Sequence, residues 1–333
     1  MTAGMLNLLT DIGGVAVGHA TDLALGSGVT AIVFDRPVIA SGSVLGGAPG
    51  GRDTALLDPS MTVETVDAFV LSGGSAFGLD AAGGVQAGLR AIGRGLPVGT
   101  TKVPIVPQAI LMDLLNGGDK DWPLHSPYRD MGHTAFEAAE NGAFSLGTVG
   151  AGTGATTATF KGGIGSASAQ TRAGHRVAAL VAANALGSAT IGTGPHFWAA
   201  PFERDGEFGG LGMPADFDTE MRLKGTNITA TTIGVVVTDA VLTKPQAHRM
   251  SLLAHDGLAR AVLSAHLPFD GDTMFSAATG EKPVNDVSEL MEILHLAAIV
   301  TARAIARGIF EATALSVSGA QPAWRDRYGK PSA

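Results

Sequence analysis

Four short apolar runs, Val29–Phe34, Ala68–Leu71, Val177–Ala183 and Ile233–Thr238, each bounded by Gly, Asp or Pro, constrain this chain most. Unbroken apolar runs of that length read as buried strands. With 333 residues the chain is long enough to cover such strands with a large core. Its 47 glycines and 5% aromatic content point to tight turns and close backbone packing. The expectation is one layered α/β unit, a single domain over residues 1–333.

Helix-like stretches lie between the runs. Ala76–Ile92 is rich in Ala and Leu, and its Gly78, Gly83, Gly84 and Gly88 suit a helix whose backbone approaches a neighbour. Pro245–Ala265 carries Met250, Leu253, Ala254, Gly257, Leu258, Ala261 and Val262 on one apolar stripe, with Pro245 in the first turn. A second long helix is expected over Val287–Ala314, capped by Asn285 or Asp286, with Leu290, Leu294 and Ala298 inward and a kink near Gly308. Gly117–Arg129 and Pro195–Asp218 mix aromatics with turn residues and read as surface loops or subunit contacts.

Charge and composition then remove several function classes. The net charge is −8 and the 22 Lys and Arg are scattered singly, so no basic stripe offers itself to nucleic acid. The absence of Cys excludes disulfides, thiolate zinc sites and cysteine nucleophiles. The first twenty residues lack a basic segment leading into an apolar core, and no long uncharged apolar run is present to span a bilayer. A cytoplasmic chain without membrane partners is expected.

Local motifs are weak taken singly. Gly150-Ala-Gly-Thr-Gly154 has G-x-G-x-G spacing without the strand-turn-helix context of a dinucleotide site, and Lys161 in Phe160-Lys-Gly-Gly163 does not complete a phosphate loop. A Gly-rich hairpin is the plainer reading. Gly73-Gly-Ser-Ala-Phe-Gly78 approaches a nucleophile elbow, but Phe77 stands where glycine is needed, which leaves Ser75 as a helix cap or first-turn residue. The nine histidines show no metal-ligand grouping; His248 and His255 share a helix face and suit packing. A Ser-His-Asp triad stays open, because only the fold would bring one together. Asp270-Gly-Asp272 offers two carboxylates that could hold a cation, orient a nucleophile or simply form a turn.

The most informative stretch runs from Ile228 to Asp239, where small and hydroxyl residues lead straight into a buried strand. A Thr at such a junction can attack the carbonyl before it, and hydrolysis of the resulting ester leaves that Thr at a new N-terminus, its amine serving as base for its own hydroxyl. Thr is also favoured in strands regardless of chemistry, and on these residues alone that plainer reading stands ahead.

Five ordered blocks resolve the choice. Leu71-Ser-Gly-Gly-Ser-Ala-Phe-Gly-Leu-Asp80, Gly150–Gly154 with Phe160–Gly163, Thr231-Thr-Ile-Gly-Val-Val-Val-Thr238, Ala254-His-Asp-Gly-Leu-Ala-Arg260 and Phe269-Asp-Gly-Asp-Thr-Met-Phe275 span nearly the whole chain. In these blocks it resembles the DmpA/BapA family of self-cleaving N-terminal-nucleophile aminopeptidases, which includes the nylon oligomer hydrolases. The resemblance implies a four-layer αββα sandwich, autocleavage between Ala230 and Thr231, pieces of residues 1–230 and 231–333, and Thr231 as nucleophile. It maps an oxyanion-donating amide onto Asn184, a supporting lysine onto Lys161, and the pair that supports the nucleophile onto Asp270 and Asp272. The two aspartates place the chain nearest the nylon-hydrolase branch. It further implies a homo-oligomer, commonly a tetramer, a small amide or peptide substrate, and neither metal nor organic cofactor.

Two positions depart from that pattern. Ala230 stands before the scissile bond where many relatives carry Asn or Gly, a feature shared with the ornithine acetyltransferases of the same fold. Met112 stands where characterised members carry a Tyr that lines the pocket, and Met donates no hydrogen bond. An acyltransferase using the same Thr and a non-catalytic homologue are therefore the alternatives to an amidohydrolase.

Overall fold

The structure, a computed structural model, describes residues 5–225 and 230–329, so Ile228 and Thr229 of the informative stretch lie outside the described residues. In chain order the elements are β1 (Val15–Asp22), β2 (Ser27–Val44), β3 (Gly51–Arg52), β4 (Thr65–Ser72), α1 (Ala81–Ala91), β5 (Leu96–Val98), β6 (Thr101–Val103), β7 (Gln108–Ile110), α2 (Tyr128–Glu137), β8 (Gly163–Gln170), β9 (Arg176–Ala183), β10 (Ile233–Ala240), α3 (Lys244–Ala261), β11 (Thr273–Lys282), α4 (Val287–Phe310) and α5 (Trp324–Tyr328). All four apolar runs are strands or parts of strands.

The long strand β2 joins the two halves of one continuous nine-stranded sheet, which fold over each other as two layers. Its first half pairs with β1, and beyond a register shift between Val33 and Val38 its second half pairs with β11. One half continues through β4, β7 and β3, the other through β11, β10, β9 and β8. Both are mixed: β4 runs parallel to β7 and β10 parallel to β11, while the remaining pairs in them are antiparallel. The side-chain period of two then builds the layers. Ile233, Val235 and Val237 of β10 meet Phe69, Leu71 and Phe275 in a core between the sheets. Val236 turns the other way, with Val181 and Met274, onto Met250 and Leu258 of α3 and Ala297 and Val300 of α4. On the outer face of the first sheet, Val29, Ala68 and Val70 pack against Val85 and Leu89 of α1 and Tyr128 and Ala135 of α2. The order is helices, sheet, sheet, helices, the expected αββα sandwich.

Helix boundaries depart from the sequence reading for local reasons. The stretch Ala76–Ile92 opens as a 3-10 turn over Ser75–Asp80 and becomes α-helical only at Ala81. Gln108 is the cause: its side-chain amide donates to the Gly78 carbonyl at 2.6 Å and accepts from the Ala82 N–H at 2.9 Å, the two groups that an α-turn would join to each other. The helix expected over Pro245–Ala265 ends at Ala261, because Leu263 leaves to exchange two backbone hydrogen bonds with Ser188. Its start is as read, with Thr243 capping Gln246 and Pro245 in the first turn. The last long helix begins after the Asp286 cap and runs through Gly308 to Phe310, short of Ala314. Gly308 serves close approach: a Cβ there would lie 2.8 Å from the Gly163 carbonyl of β8. This helix is long and apolar enough to cross a bilayer, and its most apolar window is 83% buried within the fold. The segment expected to stay a loop to Arg129 already turns helical at Tyr128.

Candidate active site

The chain enters β10 through Ala230, Thr231 and Thr232, all buried. Ala230 lies in parallel register with Asp270, the Gly271 N–H donates to its carbonyl at 3.1 Å, and the Thr231 hydroxyl donates to that same carbonyl. The hydroxyl is thus in contact with the peptide bond on its own amino side. Thr231 N–H donates to the Asn184 carbonyl at 3.0 Å, and Thr232 N–H to Asp272 Oδ1 at 2.9 Å. Gly271 permits this: a Cβ on it would lie 2.6 Å from Thr231 Oγ1.

Asn184 follows the last residue of β9 and is fully buried. Its Oδ1 accepts from Thr156 N–H at 3.0 Å and from Lys224 Nζ at 2.7 Å, and its Nδ2 donates to the Met112 carbonyl at 3.1 Å. Lys224 Nζ also reaches the Asn184 carbonyl, at 3.2 Å. Burial pushes the Lys224 amine down to about 7 against the opposing pull of Asp270, Asp113 and Asp272.

Asp270 and Asp272 sit on one turn before β11, fixed by the end of β2: Leu45 and Gly46 donate to the Asp272 carbonyl, Ala48 to that of Asp270. The two carboxyls differ in their partners. Asp272 Oδ1 takes Thr232 N–H, and Oδ2 takes His266 N–H at 2.9 Å and contacts His266 Nδ1 at 2.8 Å. Asp270 Oδ1 is buried without a partner among the described residues. Burial, then the neighbouring Asp272 charge, pushes the Asp270 carboxyl up to about 8. The His266 ring stands edge-on to His255, centroids 4.8 Å apart. His248 and His255 face β2 together, on the carbonyls of Gly42 and Ser43.

Lys161 is buried a little further off. Its Nζ donates to the carbonyls of Gly152 and Gly162 at 2.9 and 2.7 Å, pinning the Gly-rich segment, which forms a 3-10 turn over Gly150–Gly152 and a bridge between Thr156 and Lys161. Burial lowers its amine to about 7. Across this loop, Asp113 receives the Ser27 hydroxyl at 2.6 Å and the Gly74 N–H at 2.7 Å, and Tyr128 donates to the Ser27 hydroxyl at 3.0 Å. Gly74 has φ +86, and a Cβ there would fall within 2.2 Å of the Tyr128 ring. Ser75, as expected, begins the following turn. Met112 is half-buried, and its backbone, not its side chain, meets Asn184.

The structure therefore gathers Ala230, Thr231, Asn184, Asp270, Asp272 and the Met112 carbonyl around the head of β10, and holds Lys161 on two neighbouring glycine carbonyls. Sequence reasoning passed over Lys224, Asp113, His266 and the Gly271 N–H. Asp113 adjoins Met112 and Gly271 lies between the two aspartates, all of them positions the sequence marks; Lys224 and His266 carry no spacing that would mark them.

A hydroxyl at the head of a central strand lies buried beside an amide and a carboxyl pair, in an architecture that superposes on a structure of the Ntn-hydrolase fold. The L-aminopeptidase D-Ala-esterase/amidase of Ochrobactrum anthropi, described as a variant of that fold, superposes with a TM-score of 0.69 over 99% of this chain and 96% of its own, at 20% identity. A beta-aminopeptidase of a Burkholderia species superposes with a TM-score of 0.73 over 98% and 93%, at 22% identity. In sequence, an uncharacterised aminopeptidase of Mycobacterium tuberculosis is 39% identical over 289 residues, 83% of this chain and 82% of the relative. One of Mycobacterium leprae is 37% identical over 306 residues, 84% and 80%. The profile of peptidase family S58 matches residues 7–321. The chain belongs to peptidase family S58 and is a hydrolase of the aminopeptidase type.

Proposed function

We propose that this chain matures by cutting itself between Ala230 and Thr231, and that Thr231 is then the nucleophile of an amidohydrolase acting on small aminoacyl amides or peptides. The observation that carries the reading is the contact of the Thr231 hydroxyl with the Ala230 carbonyl, while the Gly271 N–H holds that oxygen from another side. Attack of Oγ1 on the Ala230 carbonyl carbon forms an ester, the hydroxyl proton passes to the departing amide nitrogen, and the C–N bond breaks. Water then hydrolyses the ester, leaving a carboxylate on Ala230 and a free amine on Thr231. The pieces, residues 1–230 and 231–333, stay joined, since β10 pairs with β9 and β11 with β2, so that each strand of the second piece is held by a strand of the first.

In turnover the new amine, with an ordinary value of about 7.7–8.0, takes the hydroxyl proton as Oγ1 attacks the substrate carbonyl and returns it to the leaving amine. Asn184 donates from Nδ2 to the developing oxyanion. Asp270 and Asp272 orient the amine and backbone around it, and Lys161 holds the glycine segment behind Asn184. Water releases the acyl group. Intact mass with N-terminal sequencing tests this: two chains are expected, one beginning at Thr231, and Thr231→Ala should leave a single chain without turnover. Amide hydrolysis by the uncut Thr231→Ala protein would refute it. Supplying glutamate as acceptor with N-acetylornithine as donor separates hydrolysis from acyl transfer.

A further inference from the structure

Lys224 is a buried lysine whose ammonium contacts Asn184, and it lies in no motif block. Its backbone N–H donates to the Leu186 carbonyl, which brings the side chain back over the end of β9. Its Nζ then makes two contacts, both with Asn184: 2.7 Å to Oδ1 and 3.2 Å to the carbonyl. Each contact has a consequence. Oδ1 already accepts the Thr156 N–H, so the ammonium fills its second acceptor site. With both sites filled the amide cannot turn over, because a flip would set Nδ2 hydrogens against two donors. Nδ2 is thereby aimed at the Met112 carbonyl, with one N–H remaining for an oxyanion. The second contact places the ammonium on the same carbonyl that receives Thr231 N–H. Lys161, by contrast, touches neither residue: its Nζ contacts are the carbonyls of Gly152 and Gly162.

We propose that Lys224 is a positioning residue that locks the Asn184 amide with its donor facing the nucleophile. The proposal rests on the reading of Thr231 as nucleophile and Asn184 as oxyanion donor. Lys224 touches no reacting atom; it acts through the amide, so its effect must vanish when the amide is gone.

The test uses full-length protein, self-cleavage scored by intact mass, and kcat and KM per cleaved chain on the best of a panel of aminoacyl p-nitroanilides. Lys224→Met keeps the length and removes a buried charge, a change the fold should tolerate. It is expected to lower kcat about tenfold to a hundredfold with KM moved less than about threefold, the pattern of a lost transition-state interaction. In an Asn184→Ala background the same substitution should cost less than about twofold, since coupled sites are not additive. Should Lys224→Met not accumulate, Lys224→Gln, which keeps an N–H donor, enters the same cycle. Wild-type kcat in the single variant, a loss confined to KM, or full multiplication of the two losses would each overturn the proposal while leaving the Thr231 reading intact. A wild-type chain that hydrolyses amides without ever being cut would overturn both.

Discussion

Asp113 and Asp270 are both buried carboxyls raised by the loss of water around them, yet the fold treats them in opposite ways. Each oxygen of Asp113 has a neutral donor: the Gly74 N–H on one, the Ser27 hydroxyl, itself held by Tyr128, on the other. Its surroundings join the start of β2, the turn after β4 and the segment after β7. Asp270 has the reverse: an oxygen with no partner among the described residues, a second carboxyl two residues on, and the head of β10 in register beside it. A satisfied buried carboxyl stabilises what it ties together. An unsatisfied one has free acceptor capacity for a proton or a new amine, the property expected of a group that takes part in chemistry.

The comparison breaks most visibly at Asp270. Asp270→Asn keeps the shape and loses no hydrogen bond at Oδ1, so the fold should be unharmed while self-cleavage and turnover fall about 10²-fold, the scale of a misplaced reacting group once the carboxyl no longer orients the amine. Timed intact-mass spectra measure the first and amide hydrolysis the second; wild-type rates would place Asp270 with Asp113 as a structural group. Asp113→Ala should do the opposite. Leaving the Ser27 hydroxyl and Gly74 N–H without an acceptor costs about 2–3 kcal/mol of stability, read by denaturant unfolding, with turnover per cleaved chain within about fivefold of wild type. Asp113→Asn, whose single amide oxygen can accept only one of the two donors, should restore about half of that stability.

The same contrast has a pH signature. Asp270, held near 8, has a folded-state value above its unfolded one, so its favourable contribution is complete below the ordinary carboxylate range and is lost as pH rises through about 8. Lys161 and Lys224, both lowered to about 7, are depressed cations, so the stability they affect is present above their ordinary range and is lost as pH falls from there through about 7. Between roughly pH 5 and 7 the Asp270 slope stands largely free of the lysines, at up to about 1.4 kcal/mol per pH unit for one proton. Melting temperatures of wild type and Asp270→Asn across that window should converge at low pH and separate as it rises, with the variant the more stable at pH 7. Parallel curves would mean that Asp270 stays ionised in the fold.

How legible this was in the sequence follows the same division. The four strands could be read because an unbroken apolar run already states burial on both faces, and the parity of Ile233, Val235 and Val237 against Val236 fixes which face meets which layer. The stripe of Pro245–Ala261 and the Asp286 cap were equally local. The failures were non-local. No property of Ala76–Ile92 announces that Gln108 will insert between Gly78 and Ala82, and nothing in Pro245–Ala265 announces that Ser188 will draw Leu263 away. Thr231 and the aspartate pair lie in ordered motif blocks, which mark residues but not their partners, and Asn184 follows only from the resemblance that those blocks carry. Lys224 and His266 act through single contacts made by tertiary folding, and a lone Lys or His has no spacing to read.

Met112 joins the two carboxyl centres, and it sharpens the comparison by the smallest step. It precedes Asp113 in the chain, and its carbonyl takes the Asn184 amide, so the backbone at this position is what links the structural carboxyl to the Thr231 side of the site. Its side chain is half-buried and contributes no hydrogen bond. Met112→Tyr leaves the carbonyl where it is and adds a hydroxyl at the end of a rigid ring, so Asn184, Thr231 and the carboxyl pair should be undisturbed. The expected result is complete self-cleavage and a kcat within about threefold of wild type, with KM for aminoacyl p-nitroanilides shifted by no more than about tenfold, the size of one added or lost hydrogen bond to substrate. A larger change confined to KM would mean that position 112 selects the substrate; a change in kcat or in cleavage would mean that its backbone moved, and with it the amide that Lys224 holds from the other end.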